Sequence, residues 1–265
     1  MAEFLLRPPT EADLPEITDC WQRSFGDPPE LICGLLDTGE LLRCAMAAEQ
    51  DGHLRSVMFA FDGLCFDSVP AAYLYALCTH PEARGQGMGQ AVLRALTGLC
   101  FDRGAELVFL CPADARLEAW YCSMGMRSLS RTTAAEFTAA PGDPDAVFPI
   151  PSEEYAALRT GSAVFPPRLL RAQELLSRRS GGGFYRVGPD GASAVLCAEP
   201  APGNALRIPE LCCRDADRAA VLGSAAAAFQ ADVLQPVGAA PLVYLTKDAS
   251  APPPAALAGF PFILD

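Results

Sequence analysis

Arg84, Gly85, Gly87 and Gly89 are the residues whose types and spacing point most directly to chemistry. They sit in "LYALCTHPEARGQGMGQAVLRAL", Leu74 to Leu96, where an apolar run stops at His80-Pro81 and an amphipathic pattern follows the glycines. The start of a helix carries unpaired N–H groups and a partial positive charge, so it can bind an anion. Glycines remove Cβ atoms, which lets the backbone curl and a ligand come close. Arg84 adds a permanent cation that can fork onto phosphate oxygens. A strand, this turn and a helix make a pyrophosphate cradle, which suits a nucleotide-like cofactor.

Two common nucleotide motifs do not fit. The dinucleotide fingerprint G-x-G-x-x-G fails because Gln90 follows Gly89, and the P-loop's Lys-Ser/Thr pair is missing. The runs before the glycines also read as an antiparallel meander, not as a βαβ unit.

Instead, "ALCTHPEARGQGMGQAVLRAL" resembles the acyl-CoA signature of the GCN5-related N-acetyltransferases. In that signature a strand ends near Thr, His-Pro follows, and [QR]-x-x-G-x-[GA] comes next, here Arg84 to Gly89. "AWYCSMGM", Trp120 to Met126, is similar to the family's "fYeklGF", with Tyr121 at the tyrosine, Gly125 at the glycine and Met126 in place of phenylalanine. "LLRPPTEADLPEI" resembles its opening strand and helix, so the likeness runs from residue 4 to about residue 130. It implies an α+β acyltransferase fold with a mostly antiparallel mixed sheet, and acetyl-CoA as co-substrate. The backbone of Leu77, Cys78 and Thr79 would hold the pantetheine arm. The loop Arg84, Gly85, Gln86, Gly87, Met88 and Gly89 would hold the pyrophosphate. The acyl group would lie in a splay between "YLYALCT" and "ELVFLCP". A neutral amine would attack the thioester directly, with Tyr121 as the acid that protonates the leaving thiolate.

No general base stands out. Glu49, Asp62 and Asp67 are carboxylates on strand-like runs that could relay a proton, although such groups are usually just solvated. His80 reads as a turn residue before Pro81. Asp114 falls where the family often has a cofactor-contacting asparagine, and its charge makes the same contact doubtful. Cys78 has no histidine partner visible in the sequence, so packing is favoured over an acyl-enzyme. Cys212-Cys213 reads as strand packing.

These residues need a frame. Thr10–Phe25 has the spacing of a helix opened by Thr10, and "DPPELICGLLD" suggests a second one. "LLRCAMAAEQ", "LRSVMFAFDGLCF" and "AAYLYALCT" read as three strands, the first two joined at Asp51-Gly52. Met88–Arg103 is a helix closed by Gly104, "ELVFLCP" a buried strand, "ADARLEAWYCSMG" a short helix and "TTAAEFTA" a further strand. Pro and acidic residues then mark a linker, 141–151, between a catalytic domain, 1–140, and a second domain, 152–265.

The second half repeats the element order: two helices, a hairpin on Asp190-Gly191, a strand at "NALRIPELCC", a helix at "DADRAAVLGSAAAAFQ" and a strand at "ADVLQPVG". At the place of the cradle it has no glycine, and Asp215 and Asp217 would repel a pyrophosphate. It therefore resembles a degenerate acetyltransferase-like domain without its own acyl-CoA site.

The chain has 265 residues and a net charge of −12, of which residues 1–150 carry −11. So acidic a first half suits a cationic amine acceptor and argues against nucleic acid. No run is long enough to span a membrane. The start lacks the pattern of a signal peptide, and the 11 cysteines include no C-x-x-C, so a reducing cytoplasm and no metal are expected. A homodimer is compatible with this reading. The alternative from another class is a non-catalytic acyl-CoA sensor, with the cradle intact and no turnover.

Overall fold

The carboxylate of Asp13 shows how the chain turns from its first strand, β1 (Leu5–Arg7), into its first helix. In the computed structural model, which describes residues 3–131, 137–138, 140–188, 194–236 and 241–262, the Thr10 N–H and hydroxyl both donate to Asp13, at 2.7 and 3.0 Å. Arg7 grips the same carboxylate at 2.8 and 2.7 Å, and its guanidinium holds the Asp13 carboxyl well below the usual range. The expected helix therefore opens as a 3-10 turn, Glu11–Asp13, before α1 (Leu14–Phe25) begins. It stops at Gly26, in the left-handed region at φ +80°.

After α2 (Pro29–Thr38) the expected strand from Leu41 is corrected. Leu41–Cys44 forms a 3-10 turn whose Leu41 and Cys44 side chains are fully buried, and β2 starts only at Ala45 (Ala45–Gln50). A hairpin on Asp51-Gly52, both at positive φ, leads into β3 (His53–Phe66), which pairs antiparallel with β2 and with β4 (Val69–Thr79). Every residue of β3 from Ser56 to Ala60 is buried, which requires cover on both faces of the sheet. Trp21 of α1 supplies part of that cover through ring contacts with Phe59 at 5.6 Å and Tyr75 at 5.7 Å. Then come α3 (Met88–Asp102), β5 (Leu107–Leu110), α4 (Ala115–Ser123) and β6 (Arg127–Leu129).

The second unit has its own sheet. Its elements are β7 (Phe137–Thr138), β8 (Val147–Ile150), α5 (Ser152–Leu158), β9 (Ala163–Val164), α6 (Pro167–Arg179), β10 (Gly183–Val187), β11 (Ala194–Ala201), β12 (Ala205–Cys213), α7 (Arg218–Phe229) and β13 (Val233–Pro236). The strand order is β7-β13-β12-β11-β10-β8, with only β12 and β13 parallel. The segment expected as a linker thus carries the edge strand β8. Pro149 is tolerated there because an edge strand has one side without a partner. The hairpin expected on Asp190-Gly191 is present as β10–β11, although the turn itself lies outside the described residues, as does most of the strand expected at 132–139. Buried Glu199 ties this sheet to α6, accepting from Ser177 Oγ at 2.6 Å and Gln173 Nε2 at 3.1 Å, while Arg207 Nε reaches it at 2.9 Å.

The last strand, β14 (Leu242–Thr246), returns to the first sheet, whose order runs β1-β2-β3-β4-β5-β14-β6. It is antiparallel to both β5 and β6. The compact units are therefore Met1–Leu129 with Pro241–Leu257, and Ser130–Ala240 with Ala258–Asp265. This corrects the expected division at residue 140 and the expected domain 152–265. No helix among the described residues is long and apolar enough to cross a membrane.

A stability prediction follows from β14. Leu242 and Val243 are fully buried, Tyr244 nearly so, and Arg127 lies 4.7 Å over the Tyr244 ring. Burying an apolar side chain stabilises by about 1.5–3 kcal/mol, so losing β14 removes on the order of 5 kcal/mol from a total that is typically about 5–15. The fragment 1–140 will lack a cooperative thermal transition by circular dichroism and will aggregate through the bare edge of β5. A monomeric, cooperatively melting fragment would contradict this.

Candidate functional site

The site begins where two neighbouring strands part. β4 and β5 are parallel, but their pairing covers only Ala71↔Leu107 to Tyr73↔Phe109, while β4 runs on to Thr79. On its other side β4 stays paired with β3 up to Ser56↔Thr79, across a bulge at Ala76, whose φ is +51°. The segment 74–79 therefore borders a gap on the β5 side. Crevices at the carboxyl ends of adjacent parallel strands are where open sheets bind ligands.

The cradle follows at once. His80 donates its N–H to Arg55 O at 2.8 Å and accepts from Ala83 N at 2.9 Å, which makes it the turn residue expected. After the 3-10 turn Pro81–Ala83, Arg84 is extended and exposed, and its Nε donates back to Thr79 O at 3.1 Å. Gly85 and Gly87 lie in the left-handed region, at φ +76° and +86°, which explains two of the three glycines. Beyond its chain neighbours, a Cβ on either would meet no atom within 4 Å, so both glycines face open space. Gly89 is constrained differently: a Cβ there would stand 3.2 Å from Thr79 Oγ1, close enough that one of the two would have to shift. Met88, only 1% exposed, anchors the start of α3, and Gln86 Nε2 donates to Glu82 O at 3.0 Å. The amide of Ala91 bonds Gly87 O at 3.0 Å. The N–H groups before it lie in the loop and first helical turn, which have no intrahelical acceptor. Unpaired amides, bare backbone and an arginine form a donor set that fits a pyrophosphate.

Tyr121 lies on α4, which starts from the carboxyl end of β5 as α3 starts from that of β4. It is 7% exposed and packs edge-to-face on Trp120 at 4.9 Å. Burial pushes its phenol up to about 12, so it is fully protonated at neutral pH. Asp114 caps α4, accepting from Leu117 N at 2.7 Å. That local role accounts for an aspartate there. Asp114→Ala should cost about 1 kcal/mol, read as a lower midpoint in urea unfolding, and an unchanged midpoint would remove the capping role.

The carboxylates weighed as bases have other partners. Glu49 accepts from Arg7 Nε at 2.6 Å. Asp62 lies 3.4 Å from Arg103, and Asp67 accepts from Ala256 N at 2.8 Å. Cys78 is 1% exposed with its Sγ 3.7 Å from Val57 O, and burial holds its thiol well above the ordinary value, as packing rather than acyl transfer requires. Leu77 and Thr79 are half-buried beside it. Among the described residues no group of three or more His, Cys, Asp or Glu could hold a metal. In the second unit a 3-10 turn, Asp215–Asp217, runs straight into α7 without an intervening glycine loop, and Arg214 Nε bonds Asp217 at 2.7 Å.

One residue of the site escapes sequence reasoning. Ser56, fully buried in β3, lies 2.9 Å from Cys78 O and 2.8 Å from Thr79 Oγ1. The only sequence signal is a serine just before the apolar run Val57–Phe61.

Solved structures share this architecture. An N-acetyltransferase of the GCN5-related family from Kribbella flavida superposes with a TM-score of 0.68 at 18% identity, covering 93% of this chain and 65% of its own. Eis1 from Mycobacterium abscessus gives 0.62 at 19% identity, covering 88% and 65%. A GCN5-related N-acetyltransferase from Anabaena variabilis gives 0.63 at 13%, covering 94% and 67%. The chain thus spans about two thirds of the length of these proteins. At such identities the likeness is one of fold, and no curated protein matches the chain in sequence. The sequence model of the acetyltransferase (GNAT) family matches residues 1–126, which take in β1, the cradle and the Tyr121 segment. The fold, the strand splay and the glycine loop agree with that match, which covers just under half of the chain.

Proposed function

We propose that this chain is an acetyl-CoA-dependent N-acetyltransferase that transfers acetyl to a primary amine of a small molecule or peptide. The observation that carries the reading is the Arg84–Gly89 loop, which opens α3 at the end of β4 beside the gap to β5. In this reading the amides of residues 85–89 and the Arg84 guanidinium hold the pyrophosphate. The backbone of Leu77, Cys78 and Thr79, left without a β5 partner, receives the pantetheine arm. When bound, acetyl-CoA supplies an activated acyl thioester to a neutral amine.

The protein contributes proximity and a positioned proton. Tyr121 keeps its hydrogen on Oη and offers it to the sulfur as negative charge develops there. The acidic first half, −11 over residues 1–150, favours a cationic acceptor such as a polyamine, an aminoglycoside or a basic peptide. The second unit, with Asp215 and Asp217 at the cradle position, is not assigned a cofactor of its own.

Thiol release measured with acetyl-CoA against a panel of such amines tests this. Turnover with at least one cationic amine, with the N-acetyl product identified by mass, is expected. Acetyl-CoA binding without turnover across the panel would replace the enzyme with an acyl-CoA sensor.

A further inference from the structure

A fully buried serine in a strand needs its hydroxyl satisfied, because an unpaired buried hydroxyl is costly. Ser56 has a single hydrogen. It lies 2.9 Å from Cys78 O, which can only accept, so Ser56 donates there and the Thr79 hydroxyl donates in turn to Ser56 Oγ at 2.8 Å. Thr79 is a hub. Its side chain is tied to β3 through Ser56, its carbonyl accepts Arg84 Nε at 3.1 Å, and its Oγ1 closes the space where Gly89 would carry a Cβ.

We propose that Ser56 is a positioning residue for the anion-binding loop, fixing Thr79 and through it the Arg84 guanidinium. The proposal rests on the acetyl-CoA reading above. Arg84 is exposed, and a free arginine side chain loses about 2 kcal/mol of rotamer entropy when a ligand orders it. Anchoring Nε on a rigid carbonyl meets part of that cost before binding and leaves the two outer nitrogens outside that hydrogen bond. The carbonyl is rigid only if the strand end is, and that end has no β5 partner. Backbone pairing to β3, Ser56↔Thr79 with His80 N–H donating to Arg55 O, holds that end in register, and the Ser56 hydroxyl adds a side-chain tie to it.

The test is calorimetric binding of acetyl-CoA to the full chain and to four variants, Ser56→Ala, Thr79→Val, Arg84→Ala and the Ser56→Ala/Arg84→Ala pair. Ser56→Ala should weaken binding about three- to tenfold, the worth of a neutral hydrogen bond. Thr79→Val, isosteric and at a half-buried site, cuts the same link from the other side and should do likewise, which covers the case of Ser56→Ala failing to fold. In an Arg84→Ala background the Ser56→Ala loss should shrink to less than about twofold, because coupled residues do not add. Binding of S-acetylpantetheine, which lacks the pyrophosphate, should not change in Ser56→Ala. A residue that only supports the fold would weaken both ligands alike and add fully to Arg84→Ala. Wild-type affinity in Ser56→Ala and Thr79→Val, or full additivity, overturns the positioning role while leaving the acetyl-CoA reading intact. Failure of the wild type to bind acetyl-CoA overturns both.

Discussion

Tyr121→Phe is expected to lower kcat by about 100-fold while acetyl-CoA affinity stays within about twofold of wild type. The magnitude is the lower end of what a positioned general acid contributes. The substitution removes one oxygen and keeps the ring, so the edge-to-face contact with Trp120 at 4.9 Å survives and the fold is spared. The pH profile separates catalysis from packing. A phenol raised to about 12 by burial is protonated at every pH at which the enzyme would be assayed, so Tyr121 contributes no descending limb between pH 6 and 10. The rate should instead climb as the acceptor amine loses its proton. The linkage sign also follows: the stability tied to this neutral phenol is intact below its ordinary value of about 10 and is lost as pH rises from there through about 12. Tyr121→Phe should therefore flatten alkaline unfolding in that window. Equal kcat in wild type and Tyr121→Phe would remove Tyr121 from the chemistry.

Gly87→Asp and Arg84→Glu are each expected to weaken acetyl-CoA binding by about 100-fold or more. At φ +86° any side chain at position 87 adds backbone strain of about 1–3 kcal/mol, and aspartate places negative charge where the phosphates would bind. Arg84→Glu removes a charge-assisted hydrogen bond of about 1.5–3 kcal/mol and substitutes a repelling group. Both positions are exposed, so the thermal midpoint of Arg84→Glu should stay close to wild type. Retained affinity in Arg84→Glu would mean that the anion binds elsewhere.

The cradle was legible in the sequence because its constraint is a residue type. Only glycine sits comfortably at +76° and +86°, and those glycines fall between an apolar strand and an amphipathic helix. The helices from α1 to α4 were legible by their spacing, and the end of α3 by Gly104. What sequence could not reveal depends on partners far along the chain. Leu41–Cys44 has the apolar character of a strand, yet it folds as a turn because its side chains are needed in the core. Nothing local in "PLVYLT" tells that β14 leaves the second unit to lie between β5 and β6, so the domain boundary was misplaced. Ser56 gains its role only from a register that sets it opposite Thr79, 23 residues later.

The most direct test of the central claim is calorimetric titration of the full chain with acetyl-CoA, beside the same titration of Arg84→Glu. Micromolar binding by the wild type and its loss in the variant are expected. No binding by the wild type would contradict it, leaving the likeness to the acetyltransferases one of fold alone.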